Sequence, residues 1–144
     1  MVLHLQKLSV GSESIETLQD WQNTVVNRRQ KKSQSAHHIH VTRMFPKKKE
    51  ALLDGGSIYW VIKGLIQCRN RIVDLEETQT RDGRRACAII MDPKLIPVIP
   101  TPKRPFQGWR YLKPEDVPND LEDITGGEAL PHELRNRLVN LGAW

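Results

Sequence analysis

Gly56-Ser57-Ile58-Tyr59-Trp60-Val61-Ile62-Lys63-Gly64 is the stretch that decides the fold. β-Branched and aromatic residues run unbroken between glycines, which predicts a strand. Ile58, Trp60 and Ile62 project to one side of it, and Tyr59, Val61 and Lys63 to the other. Both sides are mostly apolar, so the strand is expected at the centre of a sheet with both faces covered. If the Tyr59 side is instead the mouth of a barrel, Tyr59 can stack on a base and Lys63 can meet a phosphate.

Downstream, Ile66 to Leu75 reads as a second strand, with Arg69 and Arg71 on one face and Cys68 and Ile72 on the other. Asp82-Gly83 predicts a hairpin turn before a strand from Arg85 to Met91. Upstream, Pro46 opens a short helix, Lys47 to Leu53, which Gly55 or Gly56 closes. His38 to Met44 alternates as a strand. Ile15, Leu18, Trp21 and Val25 recur at helical spacing behind Ser12 or Ser14 as cap, which predicts a helix with Trp21 in the core. The run from Arg28 to Ser35 is expected to be a solvated connection or a phosphate-contacting arm. Leu3 and Leu5 open a short first strand, with His4 and Gln6 facing the other way. Six of the nine prolines fall between Leu95 and Pro118. They exclude helix there and predict an extended wrap with an edge strand near Trp109 to Leu112. A Gly126-Gly127 hinge and a last helix from Pro131, with Leu134, Leu138 and Leu141 on one face, complete the pattern. The fold class expected is α+β: a small, curved, mainly antiparallel sheet or open barrel with helices packed at its ends.

The chain has 144 residues and a net charge of +5, and one domain spanning 1–144 is expected. The charge is uneven: residues 1–113 hold 20 Lys/Arg against 10 Asp/Glu, and residues 114–144 hold 2 against 7. A basic body with an acidic end suits a polyanionic partner, the acidic end lying over or beside the basic face. The two cysteines, Cys68 and Cys87, are too few for a disulfide scaffold and read as small buried residues of a reduced, cytoplasmic protein. No secretory leader and no membrane span is expected.

A second aromatic stretch, Arg104 to Pro114, carries Phe106, Trp109 and Tyr111 among Arg104, Arg110 and Lys113. With Tyr59 and Trp60 it accounts for five of the chain's eight Trp, Tyr and Phe residues. Rings stack on bases and cations neutralise phosphates, so this pairing points to nucleic acid. The residues expected to bind it are Arg43, Tyr59, Lys63, Arg69, Arg71, Trp109 and Arg110. Each has a plainer reading. Trp109 can pin the proline-rich wrap to the sheet, and Arg69 and Arg71 can pair with Asp74, Glu76 or Glu77. Trp60, beside Ile58 and Ile62, belongs to the core. His38 and His40 project to one side of their strand, as two metal ligands would. No third or fourth ligand has a telling spacing, so neither metal nor other cofactor is expected. Asp54-Gly55-Gly56-Ser57 lacks the Lys-Ser/Thr and following helix of a phosphate-cradling loop.

The strings His40 to Pro46, Leu52 to Gly64 and Pro105 to Asp116 resemble an alphaproteobacterial family of about 150 residues, a domain of unknown function. That resemblance covers nearly the whole chain and implies no activity. At the level of fold, the basic segment Thr42 to Leu53, the Gly-Gly turn, the strand at Ile58-Tyr59-Trp60 and the arginine-bearing return strand resemble the PUA-like superfamily, with its ASCH and EVE domains. That likeness implies a pseudo-barrel that binds RNA or a modified base.

The leading expectation is therefore an RNA-binding or modified-nucleotide-binding domain without catalysis. One alternative is a small hydrolase of a nucleobase-type amide. Some ASCH proteins use Thr, Lys and a carboxylate for such chemistry, which here requires Thr42, Lys63 and Glu76 to converge. The other is a protein-interaction domain that docks a partner through its acidic end.

Overall fold

The computed structural model describes residues 2–9, 14–32, 37–104, 106 and 108–121. Among these lie seven strands and two α-helices: β1 (His4–Leu8), α1 (Ile15–Lys31), β2 (His38–Thr42), α2 (Lys49–Leu53), β3 (Ser57–Ile62), β4 (Leu65–Gln79), β5 (Arg85–Met91), β6 (Ile96–Pro102) and β7 (Trp109–Leu112). They form an α+β fold around one open, mixed sheet of order β2-β5-β4-β3-β1-β7, with β6 also paired to β4. Every pairing is antiparallel except β1 with β3. Gly126-Gly127 and the helix expected from Pro131 lie outside the described residues.

The central strand is β3, and all six of its residues are buried. Ile58, Trp60 and Ile62 join Leu5, Cys68, Ile72 and the helix residues Ile15, Leu18 and Leu52 in one apolar cluster. Tyr59 and Val61 join Ile66, Val98 and Leu112 in a second. The alternation in the sequence thus separates two cores, one on each face of the sheet. A two-residue turn, Lys63 (φ 51°) and Gly64 (φ 77°), leads from β3 into β4. Positive φ at both positions matches the right-handed twist of a hairpin. Lys63 is therefore a turn residue rather than part of the strand face. Gly56 is obligatory for a different reason: a Cβ there would overlap the carbonyl oxygens of Leu3 and Leu52.

β4 is longer than its apolar pattern predicts. Leu65 to Arg71 pairs with β3, and Ile72 to Gln79 pairs with β5. Register shifts between Trp60 and Val61 and between Ile72 and Asp74 bend the ladder, as bulges do. The bend curls the sheet so far that His40 of β2 meets the Trp60 ring of β3 edge-on, centroids 5.4 Å apart. The expected curvature is present, and the sheet stays open.

Four local expectations change. α1 runs through Lys31, so Arg28, Arg29 and Lys31 are helical rather than part of a loose arm. α2 starts at Lys49, three residues beyond Pro46. Ile96–Pro102 is a strand despite Pro97, Pro100 and Pro102. Trp21, expected in the core, is 51% exposed.

A buried polar hub joins α1 to the sheet. Asn70 Oδ1 accepts from Trp60 Nε1 (2.9 Å) and Gln22 Nε2 (2.9 Å). Asn70 Nδ2 donates to Gln22 Oε1 (3.0 Å) and to the Asp92 carbonyl (2.9 Å). Gln22 and Asn70 are fully buried. Replacing Asn70 by Ala leaves three buried groups unsatisfied, each costing about 1–3 kcal/mol. Urea denaturation of Asn70→Ala should therefore show a loss of at least about 3 kcal/mol. A loss below about 1 kcal/mol would show that the hub is not structural.

Candidate nucleic-acid interface

β2 and β7 stand at opposite ends of the strand order, yet side chains tie the chain after β2 to β7. Trp109 Nε1 donates to the Met44 carbonyl at 2.8 Å, and the Lys48 amide donates to Tyr111 Oη at 3.1 Å. Trp109 and Tyr111 also meet edge-on at 4.9 Å. Along this seam lies a groove of about 440 Å³, walled by Lys7, Thr42, Arg43, Met44, Gly108 and Trp109. Arg43 and Met44 are exposed, and the Trp109 ring is half-buried.

Register explains Lys7. It pairs with Trp60 across the parallel β1–β3 ladder and with Trp109 across the antiparallel β1–β7 ladder. One face thus carries a row Trp60–Lys7–Trp109, a cation between two indoles. Partial burial lowers the Lys7 ammonium from its usual pKa range. Sequence reasoning missed Lys7, although a signal was present. In the alternation Leu3, Leu5, Lys7 the cation occupies a position on the apolar face.

Of the residues expected to bind nucleic acid, the structure brings Arg43 and Trp109 together in the groove. Arg110 does not join them: it is exposed on the other face of β7, opposite Gln6, its guanidinium 5.3 Å from the centre of the Phe106 ring that packs on the second core. The others lie elsewhere. Tyr59 is buried on the opposite face, 3% exposed, against His4 at 5.4 Å. Burial raises the Tyr59 hydroxyl pKa; Asp120 adds to that and Arg69 opposes it. Arg69 is held by Asp120 through Nε–Oδ1 (2.9 Å) and Nη2–Oδ2 (2.8 Å), and by Ser57 Oγ at 2.7 Å. Its acidic partner is Asp120, rather than Asp74, Glu76 or Glu77. Arg71 is exposed on β4, and Lys63 is exposed in the β3–β4 turn.

Thr42 borders the groove, but the other groups of a Thr hydrolase do not join it. Lys63 precedes β4 and Glu76 lies near its far end, and neither lines the groove. His4 faces the opposite side of the sheet, where its Nδ1 accepts from the Ser57 amide at 3.0 Å. It cannot join His38 and His40. Among the described residues no group of three or more His, Cys, Asp or Glu is placed to hold a metal ion, and no helix is long and apolar enough to cross a membrane.

Beneath the groove is a smaller cavity of about 80 Å³, bordered by Lys7, Ser9, Trp21, His38, His40 and Trp60. His38 Nδ1 and His40 Nε2 are buried there with no hydrogen-bond partner among the described residues. Burial pushes the His38 pKa down to about 4. Burial, with smaller contributions from Lys7 and His38, does the same for His40. Both imidazoles are therefore neutral at pH 7.

The chain belongs to the DUF1489 family, described as a protein of unknown function, over residues 5–144. Searches of curated proteins and of solved structures find no match.

The two histidines make the fold acid-sensitive. In the unfolded chain they protonate near 6.5, whereas in the folded protein they resist until about 4. Between these values the unfolded state binds more protons. Their neutral burial therefore costs nothing above about pH 6.5, and destabilisation grows to about 3 kcal/mol per histidine as the pH falls to 4. Thermal melts across this range should show a falling Tm, and His38→Leu should remove about half of the excess slope. An unchanged slope in His38→Leu would reject neutral burial of His38.

Proposed function

We propose that the chain is a single-domain binding module for single-stranded RNA or its nucleotides, and that it binds them along the seam groove without chemistry of its own. The observation that carries this reading is the convergence of Lys7, Arg43 and Trp109 from three separate parts of the chain on one groove. Lys7 and Arg43 supply phosphate contacts, and the Trp109 ring supplies a stacking surface that tolerates any base. The reading rests on this groove rather than on likeness to PUA-like pseudo-barrels, with which the open, curled sheet is compatible.

Arg69 and Tyr59 are set aside by their own contacts. An arginine held bidentately by a carboxylate, as Arg69 is by Asp120, presents little net charge to a ligand. A tyrosine in the core, as Tyr59 is, offers no ring face to a base.

Fluorescence anisotropy with a mixed pool of short RNAs tests the proposal. Binding should weaken as salt rises, because each neutralised phosphate releases counterions. Lys7→Ala and Arg43→Ala should each lower the slope of log K against log salt by about 1. Trp109→Ala should cost about 1–3 kcal/mol of binding. Trp109→Phe should recover part of that, since the ring returns without the N–H that holds Met44. Absence of binding at low salt, or full affinity in Arg43→Ala/Trp109→Ala, would refute the groove.

A further inference from the structure

We propose that Trp21 and Arg28 of α1 form a second stacking platform. A single strand would run from Trp109, over Lys7, to Trp21. This inference rests on the groove reading above and extends it from a local contact to a track several nucleotides long.

Trp21 sits at the edge of the buried stripe of α1, one position before Gln22, and half of its surface is open. A tryptophan so exposed is informative, because it leaves a large apolar ring in water. The Arg28 guanidinium lies 5.7 Å from the centre of that ring. Guanidinium and indole together offer a phosphate contact and a base-stacking face.

Continuity comes from Lys7. It lines the seam groove with Trp109 and also the smaller cavity with Trp21. Lys7 therefore borders both cavities, and a strand that stacks a base on each indole would carry its intervening phosphate past this residue. Charge favours the same ligand. From Trp21 to Lys32 the helix and its cap carry Arg28, Arg29, Lys31 and Lys32 and no acidic residue. A duplex does not suit this track, because its bases are already stacked on one another and present no free faces.

The test compares two RNA oligomers of about 4 and about 12 nucleotides, within the range of known single-strand site sizes. In the unaltered protein the longer oligomer should bind at least tenfold more tightly. Trp21→Ala should leave the affinity for the short oligomer unchanged and remove most of the gain with length. Trp21→Phe should restore much of it. Arg28→Ala lies outside the packed stripe, so it tests the platform without disturbing the fold. It should reduce the length gain several-fold and make the long complex less sensitive to salt. The same length gain in the unaltered protein, Trp21→Ala and Arg28→Ala would overturn the platform and leave the groove standing. Failure of the unaltered protein to bind either length would overturn the groove and the platform with it.

Discussion

The Asn70 carboxamide is the constraint on which the rest of this structure depends. It sits in β4 with no exposure, and both ends of its amide are used. Its oxygen accepts from Trp60 and Gln22, and its nitrogen donates to Gln22 and to the chain leaving β5. A buried amide so satisfied costs little, whereas one stripped of a partner costs the full desolvation penalty. The hub therefore specifies a single arrangement of three parts that apolar packing alone would let slide: the rotation of α1, the plane of the Trp60 ring, and the path from β5 to β6. The Trp60 ring in turn supports His40 and walls the cavity beneath Lys7. The geometry of the candidate interface is thus inherited from a polar contact well inside the molecule.

The arginines show how topology rather than residue type decides availability. Arg69 and Arg43 look alike in the sequence, each a cation on or beside a strand. Arg69 falls on the face shared with Tyr59. There it is neutralised by Asp120, where the chain returns through the Val98–Asp120 bridge. The front of the acidic C-terminal segment is therefore used to complete the second core, on the face away from the groove. Arg43 follows the last residue of β2 and is exposed at the seam. Asp82 lies within its electrostatic reach. That carboxyl sits below its usual pKa range, chiefly through its hydrogen bond from Thr80, with Arg43 a weaker contributor.

Much of the fold was legible where a single physical pattern dominated. β3 could be read because its alternation and its glycine boundaries agree. The β4–β5 hairpin could be read because Asp82-Gly83 has few other uses. Reading failed where two residues far apart in sequence had to be brought together. The Gln22–Asn70 pair spans 48 positions and leaves no periodic mark. Trp21 has the spacing of a core residue, but it stands at the border of the stripe, where a rotation of the helix about its axis decides between core and surface. The prolines predicted an extended wrap rather than a paired strand at β6, and an edge position tolerates them because the missing N–H need not enter a ladder. Of the site, Arg43 and Trp109 were legible as types; their meeting was not, since it follows from the curl of the sheet.

That curl also explains why the groove lies where it does. An open sheet exposes two edges, and unpaired strand edges invite association with other chains. Here the ends of the order approach each other without forming a ladder, and Trp109 bridges the gap through its indole N–H to the Met44 carbonyl. The Trp109 ring that bridges the seam is only partly buried and lines the groove. Lys7, between Trp60 and Trp109, is under the same constraint: its stem packs among rings and its ammonium must reach water at the seam. A groove lined by an aromatic face and a cation is therefore a consequence of how the sheet ends are managed. On the proposed reading, ligand binding and closure of the seam would act through the same side chain.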